Sequence, residues 1–306
     1  MSGQGSTQRD PGGAALNKLP DQWGRLTAHE CTQSVVLIDG AMQRNIGLRL
    51  QSGRSDALSF FDREPEEARG LGAWLMTPAT AEKLGVDGIG RGITWFSGDL
   101  SLHDAYQHLK SWVLQPFPDG VERGYLRIGD GRILQALMES VWTPRQKQAF
   151  CAPWKVICRA DRDGVGKLLP GMDSTCAITS TTRRLSAAQY QALLDASVPD
   201  QLLHELKPHV RVHASLALRE LRYEMAVSVI DAARKLAYTD PYDQMILIGW
   251  ALRQGETTGD AIAELQAVRD GLHGEPLWHI LMTKADESQA MTNVLYDLAV
   301  LTEKKE

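Results

Sequence analysis

The stretch Tyr125-Leu126-Arg127-Ile128-Gly129-Asp130-Gly131-Arg132-Ile133-Leu134-Gln135-Ala136-Leu137-Met138 starts as a strand, turns through Gly129 and Gly131, and leaves on an apolar helical stripe. A strand that hands over to a helix in one tight turn belongs to a layered architecture, with a sheet covered by helices. Arg127 and Arg132 flank Asp130 across the turn, so a buried carboxylate there has guanidinium partners at hand. No nucleophile and no metal cage accompanies them. That points to a structural or binding module rather than an enzyme.

The same alternation runs through residues 33–160. Ser34–Ile38, Ala73–Met76 and Ile93–Phe96 read as buried strands, and Gly124–Ile128 and Trp154–Cys158 add two more. Leu102–Leu114 is expected as a helix, with Ser101 as N-cap, Asp104 at N3, and Pro116 and Pro118 ending it. Arg132–Ser140 is a further helix. Composition shifts after Asp161, and from Leu185 onward helical patterns dominate. Ser186-Ala187-Ala188-Gln189 is a capping box. Leu218, Leu221, Met225, Val229, Ala232 and Leu236 share one helical face. Asp240-Pro241 and Gly255 bound another helix, and Ile262, Leu265, Val268 and Met291, Leu295, Leu298 continue the pattern.

The expected fold class is therefore α+β or α/β: a mixed N-terminal domain followed by an all-helical C-terminal lobe. Residues 1–22 read as a flexible tail, 23–160 as the mixed domain, 161–184 as a polar linker, and 185–306 as the helical lobe.

Hydrophobic residues make up 43% of the 306 and charged residues 23%, the balance of a globular protein. A net charge of -5, with the bases dispersed among acids, argues against a nucleic-acid partner. Cys31, Cys151, Cys158 and Cys176 form no C-x-x-C pair and are expected as reduced, buried thiols of a cytosolic protein. Met1–Thr7 has neither a basic nor an apolar signal, and the apolar run Met245–Leu252 is too short to span a bilayer. No membrane partner is expected, and the expected location is the cytoplasm.

Asp39 ends an apolar strand, where α/β enzymes place catalytic carboxylates, but Ala41 stands where a phosphatase-like pair needs its second acid. Asp39-Gly40 is thus expected as a structural turn. Arg127, Asp130 and Arg132 read as a charge-satisfied turn, with an anion clamp as the other reading. His209 and His213 have the spacing of two zinc ligands, yet Val210 fills the place of the glutamate of a zinc protease and Pro208 favours a helix start there. Gly85, Gly88, Gly90 and Gly92 lack the spacing and order of a dinucleotide fingerprint and are expected as a flexible loop. No metal and no cofactor is expected. The eight tryptophans are expected mainly in the core with their N–H groups bonded, while Trp278 is the candidate partner-binding anchor.

Val35-Val36-Leu37-Ile38-Asp39-Gly40-Ala41, Ser59-Phe60-Phe61-Asp62, Leu71-Gly72-Ala73-Trp74-Leu75 and Arg127-Ile128-Gly129-Asp130-Gly131-Arg132 follow one another in an order and spacing that resembles the domain-of-unknown-function family 4123. Asp39, Gly40, Trp74, Arg127, Asp130 and Arg132 are the motif residues. The family's pattern has Pro where Ala73 stands, and Tyr and Pro where Gly129 and Gly131 stand. The resemblance implies a non-catalytic adaptor, or effector chaperone, of the bacterial type VI secretion system. Such a protein holds a toxin effector and loads it onto a VgrG-type spike. The competing expectation is an α/β hydrolase-like enzyme acting on an anionic substrate with Asp39 and the Arg127–Arg132 turn.

Overall fold

The structure is a computed structural model and describes residues 16–30, 33–53, 56–170, 183–207, 210, 212–235 and 237–255. The chain divides into two compact units after Asp195, within the helix Ala187–Leu206.

The first unit is built on a six-stranded sheet. In chain order its strands are β1 (Gln33–Asp39), β2 (Leu58–Ser59), β3 (Ala73–Met76), β4 (Ile93–Gly98), β7 (Trp154–Ala160) and β8 (Gly166–Pro170). In space they run β2-β3-β1-β4-β7-β8, and every pairing is antiparallel. The mixed domain is therefore of the α+β kind. β5 (Leu114–Gln115) and β6 (Gly124–Tyr125) form a separate two-stranded ribbon.

Antiparallel sheets often alternate apolar and polar residues, but β1, β3 and β4 are apolar on both sides because both faces are covered. Val35, Leu37, Leu75, Phe96 and Ile157 point into one core, shared with the helices Leu102–Val113, Gly131–Ala136 and Pro144–Cys151. Val36, Ile38, Trp74, Met76, Trp95 and Cys158 point into another, shared with Asp21–Glu30, Arg44–Ser52 and Pro78–Lys83. The register shift between Ser97 and Gly98 leaves Lys155 as an extra residue in β7. This bulge turns Trp154 onto the same face as Ile157, where it packs against Phe96 at 4.9 Å.

Several expectations change. Asn17 pairs with Ile89 and its side chain donates to the Gly164 carbonyl at 2.8 Å, so the described end of the expected tail is part of the fold. The expected strand Gly124–Ile128 stops at Tyr125: Leu126 N–H bonds the Val113 carbonyl, and Ile128 N–H turns back to Leu126. The helix expected over Arg132–Ser140 becomes an α-helix to Ala136 and a π-helical turn over Leu137–Val141. Residues 166–170, read as the head of a linker, are β8. The glycine-rich loop is ordered, with Gly88, Ile89 and Gly90 buried and Trp95 Nε1 donating to the Gly88 carbonyl at 3.0 Å.

The second unit packs the helices Arg219–Lys235 and Pro241–Gln254 with residues from Ala196 onward around Leu206, Ala226, Ile230, Leu247 and Ile248. Asp240 caps its helix by accepting from Tyr242 N–H at 2.7 Å, Pro241 follows it, and Gly255 closes it at φ 71°. The anticipated apolar face of Arg219–Lys235 is only partly covered. Met225, Val229 and Ala232 are buried, while Leu218 and Leu221 are 55% and 38% exposed. Leu236, the stripes beyond Gly255, Cys31, Cys176, His209 and Trp278 lie outside the described residues.

Candidate functional site

β1 delivers Asp39 to the end of the sheet with its side chain fully buried. Its backbone N–H bonds the Gly92 carbonyl at 2.8 Å, and its own carbonyl receives Met42 and Gln43 as the chain turns into Arg44–Ser52. Gly40 makes this turn possible. A Cβ there would lie 2.2 Å from the Gly70 carbonyl oxygen, which no side chain tolerates. Trp74, opposite Ile38 in the register, anchors the neighbouring strand by donating from Nε1 to the Arg69 carbonyl at 3.0 Å.

Four hydrogen bonds converge on the Asp39 carboxylate. Arg127 approaches as a fork, Nε to Oδ2 and Nη2 to Oδ1, both at 2.8 Å. Tyr125 Oη donates to Oδ2 at 3.1 Å, and Met42 N–H to Oδ1 at 3.1 Å. The carboxylate side chain is 0% exposed, whereas that of Arg127 keeps 40%. The hydrogen bonds it donates to Asp39 hold the Arg127 guanidinium even more firmly protonated than usual, against the opposing effect of burial. Burial first, and then the negative charge of Asp39, push the Tyr125 phenol well above its ordinary range.

The turn that carries Arg127 is itself clamped. Asp130 caps the next helix through Arg132 N–H at 3.1 Å and pairs with Arg132 Nη2 at 2.7 Å. Burial would raise the Asp130 carboxyl, but the hydrogen bonds and charge of Arg132 outweigh it and hold the carboxyl below its ordinary value. Gly131 lies so close to β7 that a Cβ would sit 2.0 Å from the Ala160 carbonyl oxygen, while Thr94 Oγ1 donates to the Gly129 carbonyl at 3.3 Å. The structure thus brings Asp39, Gly40, Trp74, Arg127, Asp130 and Arg132 to one end of the sheet. It separates them into two ion pairs, Asp39–Arg127 and Asp130–Arg132, in place of one aspartate shared by two arginines. Tyr125 is the contributor that sequence reasoning passed over; its signal is the two-residue step to Arg127, which puts both on one side of an extended segment.

Chemically, this cluster is saturated. Both Asp39 oxygens carry two donors and neither reaches solvent, so no substrate atom can approach them. Other reactive side chains are similarly withdrawn. Burial raises the thiols of Cys151 and Cys158 to about 11 and about 12, which keeps them protonated at neutral pH. His213 accepts from Ser215 N–H at 3.3 Å and caps the short turn Ala214–Leu216. No group of three metal-ligating side chains occurs among the described residues. No helix of the described residues is long and apolar enough to cross a membrane. Trp23, Trp74, Trp95, Trp112, Trp142 and Trp154 are all buried, but the indole N–H groups of Trp112, Trp142 and Trp154 find no hydrogen-bond partner among the described residues.

Residues 36–149 match the model of the domain of unknown function DUF4123, and the match spans β1 to the helix Pro144–Cys151. Neither the curated proteins nor the solved structures yield a match.

Proposed function

We propose, from this chain's membership of the DUF4123 family through residues 36–149, that it is an adaptor of the bacterial type VI secretion system. It binds a toxin effector in the cytoplasm and loads it onto a VgrG-type spike, without catalysis. The observation that carries the reading is the state of Asp39. A carboxylate at the end of a strand is where the competing hydrolase reading puts its nucleophile, yet this one is fully buried and holds four hydrogen bonds. Its chemistry is spent on joining β1 to the turn at Arg127, as suits a rigid scaffold that presents surfaces to partners.

The test is co-purification. The tagged chain is co-expressed with the products of the genes adjacent to its own, and the eluate is identified. A stoichiometric complex with a toxin, a spike protein or both is the expected result. A well-folded chain that elutes alone, and turns over a phosphate or carboxylate ester in a substrate screen, overturns the reading.

A further inference from the structure

A groove of roughly 470 Å³ opens on the first unit between the exposed side of the helix Leu102–Val113, the β5–β6 ribbon and the segment around Arg63. Leu114 and Pro116 give its lining an apolar part, and three cations, Arg63, Lys110 and Arg123, line it against one carboxylate, Glu122. Ser111, also on the wall, accepts a hydrogen bond from Arg183, which brings a fourth cation to the rim. With Asp62 and Glu64 at its edge, four cations face three carboxylates, a small positive excess in a chain of net charge -5.

The cations are held loosely. Arg63 is exposed and has no ion-pair partner among the described residues. Lys110 Nζ donates to Tyr106 Oη at 3.2 Å and stands 4.0 Å from Asp62, at the outer limit of an ion pair. Arg123 meets Glu64 at 3.1 Å, with the side chains 40% and 35% exposed. Such exposed pairs contribute little and exchange readily with an incoming carboxylate.

We infer that this groove is a docking site for an acidic, extended segment of a protein partner, with carboxylates on Arg63, Lys110 and Arg123 and an apolar side chain over Leu114 and Pro116. Charge complementarity selects that occupant. A polyphosphate has nothing to place against Leu114 and Pro116. A peptide spaces its carboxylates, carries apolar side chains between them, and offers main-chain N–H groups to Glu122. The inference deepens the adaptor reading, on which it rests for the origin of the segment.

The experiment titrates the full chain against a fluorescent peptide of alternating Glu and Leu, about eight residues long so that an extended chain spans the groove. The same peptide with Gln for Glu, and a single-stranded oligonucleotide, serve as controls. The acidic peptide is expected to bind saturably and to weaken severalfold as salt rises. Arg63→Gln and Arg123→Gln are each expected to weaken it about two- to fivefold. Glu122→Gln is expected to tighten it about twofold, a gain that no folding defect imitates. No saturable binding up to millimolar peptide, equal binding of the neutral peptide, tighter binding of the oligonucleotide, or variants indistinguishable from the parent would each overturn the inference. A chain that co-purifies with a partner but ignores the acidic peptide refutes the groove and leaves the adaptor reading standing. The reverse result refutes the adaptor reading and leaves the groove.

Discussion

Gln189 donates from Nε2 to Gln146 Oε1 at 2.6 Å, although each glutamine already closes the capping box of its own helix. The start of Ala187–Leu206 is thereby tied to the start of Pro144–Cys151. Gln146 Nε2 also reaches the Arg184 carbonyl at 3.3 Å, and the Leu185 N–H donates to Gln115 Oε1 at 3.0 Å. Gln146 is buried, so water does not replace it cheaply. Gln146→Ala removes the acceptor of Thr143 N–H and of the Gln189 amide and the donor to Arg184, at an expected cost of about 2–4 kcal/mol in urea denaturation. Amide exchange should rise first in residues 183–189. An unshifted denaturation midpoint would contradict this account of the junction.

The Asp39–Arg127 pair predicts a loss on either side and a recovery when both are replaced. Arg127→Met strands a fully buried carboxylate and should cost about 3 kcal/mol, the low end for a broken buried pair because Arg127 is partly exposed. Asp39→Ala should lower the melting temperature as well. Asp39→Leu with Arg127→Met, an apolar pair, should regain much of that loss. Strictly additive losses would sink the idea that the two act as a unit.

His108 makes stability depend on pH. It packs beside Trp112, Phe150 and Trp154, and its Nε2 lies 3.0 Å from the Phe150 carbonyl, which requires the Nε2–H tautomer. Burial lowers its pKa to about 4, with the Phe150 bond opposing and the charge of Arg183 assisting. Between pH about 6.5 and about 4 the unfolded chain holds a proton that the folded chain lacks, so stability falls by roughly 3 kcal/mol as the pH drops through that window. His108→Gln should flatten this limb of the stability curve. Asp130, whose folded pKa is depressed, adds a separate loss at still lower pH, beginning in the ordinary carboxylate range.

Gly47 sits inside Arg44–Ser52, where alanine would ordinarily stabilise a helix by about 1 kcal/mol. Here the sign should reverse. A Cβ at Gly47 would lie 2.0 Å from the Gly70 carbonyl oxygen, a backbone atom that cannot step aside. Gly47→Ala should destabilise by about 1–3 kcal/mol in a denaturant titration, the usual cost of overpacking.

Ala237 adopts φ 65° between the helices Arg219–Lys235 and Pro241–Gln254, with its N–H on the Arg234 carbonyl. A left-handed residue with a Cβ carries about 1–2 kcal/mol of strain, which glycine relieves. Ala237→Gly should therefore raise stability by about 1 kcal/mol, read as a higher melting temperature. A fall would mean that the Cβ packing outweighs the backbone strain.

What was legible in the chain was local. Ala73–Met76 is a short apolar run bounded by Gly72 and Pro78, and it is a strand over those residues. Ser101, Ser186 and Asp240 announced helix starts because their side chains satisfy N–H groups within three residues. The partner of Arg127 was not legible, because the nearest acid in sequence is Asp130, whereas the acid it holds lies 88 residues away. β8 was hidden for a related reason. Its first residue Gly166 and the nearby Gly164 read as linker, and only its pairing with Val156–Ala160 makes it a strand. The glycines at 40 and 131 could be read as turn formers, but their need, a carbonyl oxygen pressed against each Cα, comes from other strands and turns.

The separation of Asp39 from Arg127 also has a temporal side. At translation rates of about 5–20 residues per second, Arg127, 88 positions further along, follows Asp39 by about 4 to 18 s. Through that interval β1 can find β3 and β4, but its terminal carboxylate has no cation and must stay hydrated. The nascent sheet therefore remains open at the Asp39 end until Arg127 has emerged, and β7 and β8 are made only after that.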